Sequence, residues 1–133
     1  AECIFKDMVE KRGLSGKFFI DSAATSTEEL GNPIYPPARR KLAAMGVPLT
    51  GHRARQMTRS DYRDFDLILG METANIRNIL RITGGDPEGK VRRLLDYTDR
   101  PRDIDDPWYT DDFDTAYREI AQGCEALLAS LEK

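Results

Sequence analysis

The stretch Phe65 to Met71 constrains this chain more than any other. Its centre, Leu67-Ile68-Leu69, is apolar whichever way the side chains point. Successive strand residues face opposite sides of a sheet, so such a run needs cover on both faces. That is the pattern of a buried parallel strand. Parallel neighbours must be joined by long crossovers, usually helices.

The rest of the chain supplies those crossovers. Ile4 with Met8 and Phe5 with Val9 have helical spacing, and Gly13 is placed as a stop. Nothing at Ala1-Glu2-Cys3 can act as an N-cap, so the helix reads as one whose start lies upstream. Phe18-Phe19-Ile20 reads as a short strand ending at Asp21-Ser22. Ser26 to Pro37 reads as a loop, and Ala38 to Met45 as a helix closed by Gly46. Thr58 to Asp61 opens another helical piece. Thr73 is read as the cap of a helix with Ile76, Ile79 and Leu80 on one side. Gly84 to Pro87 breaks the chain before a third strand, Val91 to Leu95. Asp99 to Asp112 is an acidic loop. Asp111 or Asp112 then caps a final helix carrying Ala116, Ile120, Cys124, Leu127, Leu128 and Leu131 on its apolar side. Strands alternating with helices predict the α/β class, a parallel sheet flanked by helices.

Composition excludes several classes. At 133 residues the chain is expected to form a single domain. A net charge of −3 shows no basic excess of the kind that binds nucleic acid. No apolar run reaches membrane-spanning length, and no signal-peptide pattern leads the chain. The two cysteines, Cys3 and Cys124, are too few for a disulfide framework and read as reduced core thiols of a cytoplasmic protein. Neither they nor the single His has metal-ligand spacing, and no cofactor motif is present.

In an open α/β sheet, ligands bind where strands end at their carboxyl side. The segments from Ser22, from Met71 and from Leu95 to Tyr109 leave those ends. Within the last, Asp106-Pro107-Trp108-Tyr109 has a specific rationale. Pro107 restricts the residue before it, so the Asp106 carboxyl is held. Asp103, Asp105, Asp111 and Asp112 nearby disfavour its ionisation, which suits a proton donor. The same residues also read as a solvated acidic loop with helix caps, or as a carboxylate site for Mg²⁺. Trp108 and Tyr109, on extended backbone, point to opposite sides: one to core, one to a ligand. His52, the only His, reads as a catalytic group or a hydrogen-bonded support. Arg53 and Arg55 read as anion binders or as salt-bridged groups.

Asp21-Ser22-Ala23, Gly51-His52-Arg53-Ala54-Arg55-Gln56, Phe65 to Met71, Asp106 to Tyr109 and the final helix with Cys124 occur in one order. This set resembles the low-molecular-weight protein tyrosine phosphatase family, bacterial branch, over essentially the whole chain. The resemblance implies hydrolysis of phosphotyrosine, or another phosphoamino acid, through a cysteinyl-phosphate intermediate without a cofactor. The substrate would be a phosphorylated protein or a small aryl phosphate. It implies Asp106 as the general acid and Trp108 and Tyr109 as walls of the phenyl pocket. His52 and Glu72 would be supporting residues, Glu72 standing where the family often has Asp. Relatives commonly place a pocket aromatic where Thr27-Glu28 stands.

The family's nucleophile lies in a Cys-x-x-x-x-x-Arg loop on the first strand, and its thiolate attacks phosphorus. Neither cysteine here fits that spacing, because Val9 follows Cys3 and Ser130 follows Cys124 at the Arg position. The resemblance therefore implies a phosphatase-like domain over 1–133 that is N-terminally incomplete, its first strand and phosphate loop absent from the numbered chain. That strand would have stood between the Phe18-Ile20 and Leu67-Leu69 strands. Two other readings stand beside the phosphatase. One is a catalytically inactive fragment or binding-only relative. The other is arsenate reductase, disfavoured because no Cys lies between Cys3 and Cys124.

Overall fold

A computed structural model describes residues 1–25, 36–48 and 55–132, without the side chains of Trp108 and Tyr109. Its helices and strands alternate. Helix α1 spans Glu2–Lys11, α2 Pro36–Ala44 and α3 Arg59–Asp64. Strand β1, Ile68–Gly70, leads through helix α4, Thr73–Thr83, to strand β2, Val91–Arg93. A 3-10 turn at Leu94–Tyr97 follows, then the short helix α5, Pro107–Thr110, and the long helix α6, Phe113–Leu131.

β1 and β2 pair in parallel, with Ile68 opposite Val91 and Gly70 opposite Arg93. The two faces of β1 meet different layers. Leu67 and Leu69 pack against the cluster formed by α1, the 3-10 turn and α6. Ile68 packs on the other side against Met57, Ile79 and Val91. The doubly apolar run thus does what its composition requires, with helices on both faces. Its strand is shorter than Phe65–Met71. Leu67, Ile68 and Leu69 are half-buried, since among the described residues β1 has a ladder partner on one edge only.

Two glycines set close approaches. A Cβ on Gly70 would stand 2.8 Å from Asn75 Cβ, so only glycine lets α4 start so near the end of β1. A Cβ on Gly123 would stand 2.6 Å from Leu94 Cγ, where α6 lies on the 3-10 turn. That turn carries Leu94 and Leu95, at 1% and 0% exposure among the most buried side chains present.

Several expectations need correction. Phe18-Phe19-Ile20 is not a strand. It follows a 3-10 turn at Ser15–Lys17 and has no ladder bonds among the described residues; the segment pairs further on through an isolated parallel bridge of Ala24 with Gln56. Phe18 packs edge-on against Phe5, while Phe19 is 81% exposed and stacks on Phe65. Apolar composition favours a strand only where a neighbour offers hydrogen bonds. β2 stops at Arg93 rather than Leu95, because Asp96 accepts from the Arg93 amide and closes the turn. Helix α2 starts at Pro36, two residues ahead of Ala38, which suits prolines in a first turn. Glu72, not Thr73, occupies the N-cap position of α4. Thr58 to Asp61 opens α3 as expected, with Thr58 at the N-cap, and Asp112 caps α6, accepting from the Thr115 amide at 3.0 Å.

Candidate active site

The acidic loop is tied down by three successive residues. Arg102 reaches Glu119 on α6 at 2.9 Å. Asp103 Oδ1 accepts from the Thr73 amide at 2.9 Å, the Thr73 hydroxyl at 2.8 Å and Arg93 Nη1 at 3.0 Å. Ile104 is 2% exposed, and its amide donates to the Met71 carbonyl at 2.8 Å. These bonds fasten the loop to α6, to α4 with β2, and to the end of β1. Asp105 and Asp106 come next, and the chain then enters α5 at Pro107.

α5 corrects the expectation for Trp108 and Tyr109. Their backbone is helical, not extended, with the Thr110 amide on the Asp106 carbonyl at 3.3 Å. Pro107 has the φ of a first helical residue and no amide to satisfy there. Successive helical residues diverge by about 100° rather than alternating across a strand. The side chains of Trp108 and Tyr109 lie outside the described residues.

Glu72 joins the loop from the other side. It follows β1, and Asn75 Oδ1 fixes the turn by accepting from the Met71 and Glu72 amides at 3.0 Å each. Burial pushes the Glu72 carboxyl above its ordinary value, and the charges of Asp106, Asp103 and Asp105 push the same way. The crowding of acids in this loop is thus felt at Glu72. Asp103 is held below the ordinary carboxylate value by Arg93 and Thr73, so it stays an anion. Asp112 belongs to the α6 cap and is lowered by its Thr115 bonds. An open cleft of about 420 Å³ lies beside this clamp, lined by Thr73, Ile76, Val91, Arg92, Arg93 and Asp96. Asp106 is not part of that lining.

A second cluster joins two of the segments quoted from the sequence. Arg55 donates to Asp21 at 3.1 Å and to both oxygens of Asp61 at 3.1 and 3.2 Å. Burial alone would raise Asp61, yet the Arg55 and Thr58 bonds win and its value falls. Arg55 is therefore salt-bridged rather than a free anion binder. Ser22 donates to Glu2 at the start of α1 at 2.6 Å. His52, Gly51, Arg53, Ala54, Thr27 and Glu28 lie outside the described residues. Cys3 and Cys124 are buried and form no disulfide, and burial pushes the Cys124 thiol up to about 11. Among the described residues no group of three His, Cys, Asp or Glu is placed to hold a metal ion. Nor is any described helix long and apolar enough to cross a membrane.

The sequence profile of the low molecular weight phosphotyrosine protein phosphatases matches residues 1–133. This chain belongs to that family. Low molecular weight protein-tyrosine-phosphatase YfkJ of Bacillus subtilis is 38% identical over 135 residues, covering 100% of this chain and 86% of its own. The low molecular weight phosphotyrosine protein phosphatase of Homo sapiens is 35% identical over 133 residues, 96% of this chain and 84% of its own. The crystal structure of YfkJ superposes with a TM-score of 0.94 at 37% identity, over 98% of this chain and 84% of that one. That of the Streptococcus pyogenes phosphatase gives 0.86 at 29% identity, over 98% and 81%. As a family member the chain is a protein-tyrosine-phosphatase, and so a hydrolase.

Arg93, Asp103 and Ile104 were not singled out in the sequence as a unit. One signal was there: Ile104 is the lone aliphatic residue among the acids of the loop, and an isolated apolar residue in such company marks an anchor.

Proposed function

We propose that the phosphatase site of this chain is built on Asp106 as general acid, with a phosphorylated tyrosine side chain, or a related phosphoamino acid or small aryl phosphate, as substrate. A cysteine thiolate from a Cys-x-x-x-x-x-Arg loop attacks phosphorus, forming S–P as the P–O bond to the phenol breaks. Asp106 gives its proton to the departing oxygen. Its carboxylate is then placed to take a proton from the water that cleaves the S–P bond. Trp108 and Tyr109 flank the phenyl ring, while His52 and Glu72 support the site. No cofactor enters these steps, and nucleic acid is not a partner. A cytoplasmic location fits two buried cysteines outside any disulfide.

The observation that carries this reading is the anchoring of the Asp106 loop at the carboxyl end of β1, beside Glu72, in a chain of this family. Neither Cys3 nor Cys124 supplies the nucleophile, since both are buried and Cys124 is a neutral thiol at physiological pH. The test is Asp106→Ala in a polypeptide that carries the phosphate loop ahead of Ala1. Hydrolysis of phenyl phosphate is expected to fall on the order of 10²-fold or more, and that of para-nitrophenyl phosphate, which needs little protonation, by less. An equal loss for both substrates would give Asp106 a structural role instead.

A further inference from the structure

We propose that Arg93 is a positioning residue for the general acid. Through Asp103 it holds the backbone that presents Asp106, and turnover senses it as leaving-group protonation. The inference rests on the assignment of Asp106 as the acid.

Arg93 is gripped at two ends. Its backbone amide donates to Asp96 Oδ2 at 2.9 Å, and its Nε and Nη2 lie 3.1 and 3.0 Å from Asp96 Oδ1. The guanidinium therefore has a fixed orientation, and its Nη1 is free to meet Asp103 Oδ1 at 3.0 Å. A planar fork pre-set in this way loses little further freedom on binding a second carboxylate. The same Asp103 oxygen takes both the amide and hydroxyl of Thr73, the first residue of α4. One carboxylate thus joins β2, α4 and the acidic loop. Beside it, Ile104 is pinned in the core and on the Met71 carbonyl.

Only Asp105 and Asp106 separate Ile104 from Pro107, where ring closure fixes φ and α5 begins. A segment so short between two fixed points cannot move one end without moving Asp106. Asp106 itself is half-buried and cannot simply swing through solvent to recover its place. General-acid transfer needs hydrogen-bond distance to the leaving oxygen, so small displacements weigh heavily on it. Attack on phosphorus is not so exposed, because the thiolate and the oxyanion donors belong to another loop.

The experiment compares kcat and KM across aryl phosphates, from phenyl phosphate to para-nitrophenyl phosphate, in the phosphatase carrying its Cys-x-x-x-x-x-Arg loop. Arg93→Ala is expected to lower kcat about tenfold with phenyl phosphate and about twofold or less with para-nitrophenyl phosphate, with KM held within about twofold. Arg93→Lys, which keeps the charge toward Asp103 but not the fork that also holds Asp96, should recover only part of the loss. In an Asp106→Ala background, Arg93→Ala should add nothing, because the clamp acts through Asp106. Asp103→Asn provides a second variant with the same expected profile should Arg93→Ala fold poorly. A uniform loss across leaving groups, or losses that add to those of Asp106→Ala, would overturn the clamp. A steep profile for Asp106→Ala beside a flat one for Arg93→Ala overturns the clamp alone. A flat profile for Asp106→Ala overturns the acid assignment, and the clamp with it.

Discussion

Two segments lead toward the site, and they are held by different means. Val91–Arg93 is a hydrogen-bonded strand, and the loop beyond it is fastened by an ion pair, a shared carboxylate and a buried isoleucine. Phe18-Phe19-Ile20 is the more apolar of the two, yet among the described residues it has no ladder, and Phe19 faces water. The turn after it is held by side-chain bonds at Asp21 and Ser22, before Ala24 exchanges backbone bonds with Arg55 and Met57. The difference is instructive. Apolar content makes a strand possible, whereas a neighbouring backbone makes it form. A catalytic carboxyl needs the first kind of support, because exposed ion pairs by themselves hold little.

The largest effect separates the acid loop from the rest of the chemistry. A polypeptide limited to residues 1–133 is expected to show no turnover of para-nitrophenyl phosphate above background, since the proposed role of the Asp106 loop is to give a proton and both cysteines are buried. Turnover that Asp106→Asn abolishes would break the division of labour drawn here.

The next contrast is one of stability. Ile104→Ala should cost about 2–5 kcal/mol in urea unfolding, as deletion from a packed core does, and Ile20→Ala, at a half-buried site without a ladder, about 1 kcal/mol. Equal costs would show that Phe18–Ile20 is integrated as firmly as the acid loop.

The Arg55–Asp61 pair gives a smaller, pH-dependent effect. Asp61 is 9% exposed, and its folded value lies below the ordinary 3.8. A depressed carboxylate stabilises the fold above its unfolded value, and that contribution is lost as pH falls through the folded value. Asp61→Asn should therefore cost about 1–3 kcal/mol at neutral pH. The difference from the parent should close as the pH drops below 3.8. A gap that persists undiminished in acid would assign the cost to packing rather than charge. The smallest effect belongs to Phe19→Ser, expected within about 0.5 kcal/mol because the side chain is largely in water. A cost well beyond that would mean that its stacking on Phe65 carries part of the fold.

Much of this was legible along the chain. The doubly apolar Leu67-Ile68-Leu69 required layers on both sides, and its side chains divide between two clusters as alternation demands. The apolar stripe of α6 buries Ala116, Cys124, Leu127 and Leu128, and Asp112 caps it. The ordered set of short segments was enough to place the chain in its family. What failed has two causes. Phe18–Ile20 depended on a neighbouring strand distant in sequence, whereas the helical backbone at Trp108-Tyr109 and the Glu72 cap follow from local bonds, the Thr110 amide on the Asp106 carbonyl and the Glu72 amide on Asn75.

Sequence alone therefore determined the class of fold and the family, because periodicity and residue order are local properties of the chain. Tertiary structure decided where the Asp106 loop is fastened and that Glu72 feels the acids of that loop. Arg93 and Asp103 are ten residues apart, and Asp103 and Thr73 thirty. Glu72 is raised by burial and by acids more than thirty positions away. Electrostatic energy depends on distance through space and on solvent access, and neither is written in the order of residues.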